Sequence, residues 1–172
     1  AARTWLAKAA AAGHADAARL LQAGQLPLQV DPRVLATEPA VTLSMTIAAA
    51  RSGDVDTLAA LWPLLPKDAN DAFGRSVLHH AAESGAAESV RWLVAHGARV
   101  DAIDAQGITP LMLAATAERA DALEVLLQSK PYVAAVDALG NSALFYAARR
   151  GRVTQSESLV AAGLDPKLRN AG

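Results

Sequence analysis

The chain has no cysteine, which excludes disulfide frameworks, thiolate nucleophiles and zinc sites built on Cys. Aromatic residues make up only 4% of its 172 positions, too few to supply a platform for stacking bases. Neither sign of charge is in excess: 16 Lys and Arg stand against 17 Asp and Glu, for a net charge of −1. That balance argues against a polybasic nucleic-acid surface and against an acidic disordered tail. No run of about 18 apolar residues exists, so nothing reads as a membrane-spanning helix. The Ala-rich opening is broken by Arg3, Lys8, His14 and Asp16, which disqualifies it as the apolar centre of a signal peptide. A nucleophile elbow, a Gly-rich phosphate loop and an H-E-x-x-H pair are also missing. Neither enzymatic chemistry nor a cofactor is expected. A soluble protein is, in the cytoplasm first, with the periplasm or secretion left open by the absent cysteine.

What the chain does have is apolar residues, 52% of the total, with alanine supplying many of them. A core of small side chains means backbones packed close together, not a wide cavity. The chain is also periodic. Capping hydroxyls fall at Thr4, Ser44, Ser76, Thr109 and Ser142, at intervals of 40, 32, 33 and 33 residues. A mid-unit turn falls at Gly13, Gly53, Gly85, Glu118 and Gly151, at the same intervals. Two independent markers with one spacing define a repeat array.

The cleanest unit is 71–100. Asp71 and Gly74 form a turn, Ser76 caps a short helix around Leu78 to Ala82, and Gly85 breaks it. A second helix then carries Val90, Trp92, Leu93 and Val94 and stops at Gly97. The other units span approximately 1–24, 43–66, 104–130 and 137–166. Between the first two lies an enlarged irregular connection, 25–42, containing Pro27, Pro32 and Pro39, each of which resists a helix interior. Pro63 is expected to end the second helix of its unit near Trp62, and Pro110 sits just after the Thr109 cap, where a missing N–H costs nothing. The fourth unit puts Glu118 and Lys130 where glycines are expected, so both turns should be strained or rebuilt. The tail matches the start of another connecting turn, so the parent protein is expected to continue beyond Gly172.

These residues resemble the ankyrin-repeat family, which has a period of 33 and a T-P-L-H-x-A core. Thr109-Pro110-Leu111-Met112-Leu113-Ala114-Ala115 carries most of that core, and Ser76-Val77-Leu78-His79-His80-Ala81-Ala82 carries it with the His in place. Ala7, Ile47, Met112 and Phe145 stand at the His position elsewhere. The resemblance covers nearly the whole chain. It implies an all-α solenoid of helix-turn-helix units with projecting hairpin-like fingers, and a structural hydrogen bond for His79. The physics agrees: a nine-residue helix is marginal alone, and stacking supplies the missing apolar partner, with Ala-Ala pairs letting inner helices approach.

His80 and Glu83 lie one helical turn apart, a ligand-compatible spacing, but no third ligand accompanies them and no metal site is expected. His14 and His96 read as structural. The resemblance implies that contacts are made by the finger tips and the exposed parts of the inner helices. On this chain those positions include Arg51, Phe73, Arg75, Glu83, Ile103, Gln106, Ile108, Thr116, Leu139, Asn141, Arg149 and Arg150. Apolar tips matched with Arg are typical of interface hot spots. The expected function is a non-catalytic protein–protein interaction module, monomeric, holding a segment of another protein on a concave face, with no nucleic-acid partner and no membrane insertion. The alternative is a targeting or regulatory arm of a larger enzyme or of a secreted bacterial effector whose catalytic part lies outside the segment. A bacterial source is suggested by the Ala-heavy, Arg-over-Lys composition.

Overall fold

The computed structural model describes residues 39–66 and 68–165; the first unit, most of the 25–42 connection and the tail past Asp165 lie outside them. Within the described residues the chain forms α1 (Pro39–Ser52), α2 (Val55–Leu61), a 3-10 turn (Trp62–Leu64), α3 (Val77–Ser84), α4 (Ala87–Ala95), α5 (Pro110–Ala114), α6 (Asp121–Gln128), α7 (Ala143–Arg149) and α8 (Val153–Ala161). These are four helical hairpins, all-α among the described residues. The inner helices stack α1 on α3, α3 on α5 and α5 on α7, while the outer helix α4 packs on α6.

Stacking is close because the inner faces are nearly bare. Ala49, Ala50, Ala81, Ala82, Ala114 and Ala115 have no exposed surface. Larger side chains fill the space between inner and outer rows, where Leu58, Leu78, Leu93, Leu123, Leu126 and Leu159 are fully buried. Each such leucine contributes about 1.5–3 kcal/mol through burial, which is how helices of seven to nine residues persist.

Pro63 falls in the 3-10 turn that follows α2, and Pro110 opens α5 beneath the Thr109 cap, whose Oγ1 accepts from the Met112 amide at 3.3 Å. The second unit departs from its expected limits. Ser44 does not cap a helix; α1 starts at Pro39, so the last residues of the 25–42 connection are helical. A proline in the first helical position gives up an N–H that has no intrahelical partner anyway. Thr46 Oγ1 then donates to the Thr42 carbonyl at 2.7 Å.

The two turns without glycine find different solutions. Lys130 is forced into the left-handed region at φ 54°, the conformation that Gly97 and Gly163 take at the same point of their units. A side chain there costs about 1 kcal/mol. Lys130→Gly should therefore raise the unfolding free energy by about 0.5–1 kcal/mol, read as a higher urea midpoint at constant slope. Glu118 avoids positive φ. The helix before it stops early, Thr116 and Ala117 N–H close tight turns on Leu113 and Ala114, and the next unit caps what is left over. Arg152 Nε donates to the Thr116 carbonyl at 3.2 Å, and buried Gln155 Nε2 donates to the Ala117 carbonyl at 2.9 Å.

Candidate functional site

Among the described residues three fingers project between the helical hairpins, and one aspartate builds each. Asp71, Asp104 and Asp137 share a register 33 residues apart. In all three, Oδ1 accepts the backbone N–H groups two and four residues on: Phe73 and Arg75, Gln106 and Ile108, Leu139 and Asn141, at 2.8–2.9 Å. The aspartate N–H returns a bond to the carbonyl four residues ahead at 3.0 Å, to Arg75, Ile108 and Asn141 respectively. The second carboxylate oxygen ties the finger to something different in each unit. Asp71 Oδ2 meets His80 Nε2 at 2.8 Å. Asp104 Oδ2 accepts from Arg75 Nε of the preceding finger at 3.1 Å. Asp137 Oδ2 accepts from Tyr146 Oη at 2.6 Å and Asn141 Nδ2 at 3.0 Å.

Burial by itself would raise the Asp71 and Asp137 carboxyls. Amide donors, with His80 for Asp71 and with the Tyr146 hydroxyl and Asn141 for Asp137, outweigh it and hold both below the ordinary aspartate value. Tyr146 is pushed up, by burial first and then by its bond to Asp137. Burial lowers His79, the Ile108 carbonyl opposing only in part. Its Nδ1 accepts the Ser76 amide at 3.1 Å and its Nε2 reaches the Ile108 carbonyl of the next unit at 3.0 Å, so the proton of the neutral ring sits on Nε2.

The fingers also bond to one another. Ala105 N–H donates to the Phe73 carbonyl at 2.9 Å and Ala138 N–H to the Gln106 carbonyl at 2.8 Å. This lateral ladder requires glycine beside it. Gly74 and Gly107 have φ of 78° and 76°, and a Cβ on either would lie 3.1–3.2 Å from the neighbouring finger's amide nitrogen. The result is a rigid row carrying exposed tips: Phe73 is 64% exposed, Leu139 74%, and Gln106 stands between them. Ile103, at 64%, and Val136 form a parallel exposed row.

The expected contact residues divide cleanly. Phe73, Ile103, Gln106 and Leu139 lie exposed on the fingers, and Arg51, Arg149 and Arg150 lie exposed at the ends of inner helices. Others are taken up by the scaffold. Arg75 is held by Asp104 and by Glu83, whose Oε1 lies 3.3 Å away. Asn141 is buried on Asp137. Ile108 packs on the core, and Thr116 turns its hydroxyl onto the Leu113 carbonyl at 2.7 Å. Arg75, Glu83, Ile108, Thr116 and Asn141 thus each have contacts within the scaffold. His80 and Glu83 turn to different partners, Asp71 and Arg75. Sequence reasoning passed over the three finger aspartates as a set, although D-A-x-G recurring at 71, 104 and 137 is their signal. It also passed over the exposed Tyr132 and Val153, which have no counterpart in a motif.

Stacked helical hairpins with laterally bonded fingers define a repeat solenoid. A family model described as ankyrin repeats matches residues 45–137 and again 104–170, and the chain belongs to the ankyrin-repeat family. No curated protein matches it. Ankyrin repeats are generally protein–protein interaction modules. No helix among the described residues is long and apolar enough to cross a membrane.

Proposed function

We propose that this chain is a non-catalytic binding module that holds a segment of another protein in the crook between its fingers and inner helices. The observation that carries this reading is the pairing of exposed tips with an immobilised backbone. Phe73 and Leu139 have no core to fill, yet the turns that bear them are fixed by aspartate bonds and by the finger ladder. A surface ordered before binding loses little conformational freedom on binding. Arg149 and Arg150 at the end of α7, and Arg51 at the end of α1, bracket the tips with guanidinium groups that have no ion partner among the described residues.

Affinity capture from the source cells, with wild type and Phe73→Ala/Leu139→Ala side by side, tests this. Partner recovery should fall at least about tenfold, a loss of about 1.4 kcal/mol or more, while the thermal midpoint stays unchanged because neither side chain is buried. Undiminished recovery by a folded double variant would remove the fingertip reading.

A further inference from the structure

Among the described residues the finger ladder has an open end, and a groove lies against it. In the second unit α1 runs back to Pro39, over the positions where a finger would otherwise precede the 71–74 turn. The N–H that donates across the ladder at Ala105 and Ala138 has its equivalent at Ala72, and Ala72 N–H has no bond among the described residues. Ala72 lines a groove of about 840 Å³ between α1 and the 71–74 finger. Leu43, Ile47 and Ala48 give it an aliphatic floor, and Arg51 stands at the C-terminal end of the same helix face. The facing wall includes His80, only 8% exposed, whose Nδ1 is one of two buried side-chain polar atoms without a partner among the described residues. Among the described residues that line the groove the one carboxylate, Asp71, is already committed to two amides and to His80. The uncommitted charge lining it is therefore positive.

We infer that this groove takes an extended segment of a partner protein as the missing neighbour in the ladder. A backbone carbonyl of that segment accepts the Ala72 N–H, as the Phe73 carbonyl accepts Ala105. An aliphatic side chain lies on Leu43, Ile47 and Ala48, and an Asp or Glu side chain near it pairs with Arg51. Adding backbone to an unpaired edge gives affinity that does not depend on sequence, while the side-chain pocket and the cation give selectivity. The inference rests on the reading of the chain as a protein-binding module and adds a site and a chemistry to it.

Selection of a phage-displayed random dodecapeptide library on the whole chain supplies the probe, and enriched sequences are then measured as synthetic peptides. The expected peptides combine an acidic residue with aliphatic neighbours. They should bind at least about tenfold more weakly to Arg51→Ala and to Ala72→Pro, which deletes the donor, and equally well to Val153→Ala, which is exposed at the start of α8 and does not line the groove. Peptides sensitive to Phe73 and Leu139 but not to Arg51 or Ala72 would overturn the groove while leaving the fingertip reading standing. No enrichment at all would overturn it as well. Amide exchange keeps the question open to decision if Ala72→Pro fails to fold. A bound peptide should slow exchange at Ala72 toward the rate at Ala105, and an unchanged rate at Ala72 counts against the site.

Discussion

Asp104→Ala should lower the unfolding free energy by about 3 kcal/mol, the largest loss expected from any single finger substitution. The Asp104 side chain is fully buried, and it satisfies three donors at once: the Gln106 and Ile108 amides and Arg75 Nε. Truncation strands all three. A buried ion pair broken on one side costs about 3–5 kcal/mol. Because Arg75 retains 23% side-chain exposure and can still pair with Glu83, the lower end applies. Asp104→Asn keeps the shape and one acceptor for the amides but gives up the charge opposite Arg75, and should cost about half as much. Urea denaturation followed by helical circular dichroism separates the two. Equal midpoints for wild type and Asp104→Ala would mean that the fingers are decoration on the helices and not part of their cooperative unit.

The second large effect is at His79. His79→Ala should cost about 2–4 kcal/mol at neutral pH, since it opens a void at a site with no exposure and removes the bonds to Ser76 and Ile108. Its pH dependence identifies the mechanism. The ring is useful only when neutral: Nδ1 must accept the Ser76 amide, and a proton there would set N–H against N–H. Burial holds the folded ring below the ordinary histidine value of about 6.5, so below that value the unfolded chain binds a proton that the folded chain does not. Stability from this residue is complete above about pH 6.5 and declines as pH falls toward the folded value, by at most about 1.4 kcal/mol per pH unit. The gap between wild type and His79→Ala should therefore narrow between pH 7 and pH 5. The difference cancels the contribution of titrating groups that do not interact with His79. Asp71 and Asp137 are also lowered, but their stabilisation is lost only as pH falls below the ordinary aspartate range, outside this window. A gap independent of pH would show that His79 acts by volume alone.

The solenoid was legible in the sequence because its determinants are local and repeated. A cap, a small-small pair and a turn at one spacing identify each hairpin without knowledge of its neighbours. The beginning of α1 was not legible, because three prolines in 25–42 read as a loop, and a proline at the first helical position looks the same as one that forbids a helix. The exposure of the expected contact residues was half legible. Phe73 and Leu139 could be placed because a tip between Asp and Gly has nowhere to hide. Arg75 could not, since its destiny depends on an aspartate 29 residues away that becomes adjacent only after stacking. Asn141 looked like a tip for the same reason that Gln106 is one. What differs is the place in the finger: Gln106 stands two residues past its aspartate, at the tip, whereas Asn141 stands four past, where its amide reaches back to Asp137.

The bonds from Arg152 and Gln155 to the Thr116 and Ala117 carbonyls make the fourth and fifth units inseparable. In an array of interchangeable modules, any unit can be deleted, duplicated or transplanted and its neighbours will close over the gap. Here the fourth unit cannot satisfy its own turn, and only a unit with donors at those two positions can follow it. Shuffling between homologous arrays would have to carry the two together, and any chimaera that splits them should expose the loss as rapid exchange in the 113–118 segment.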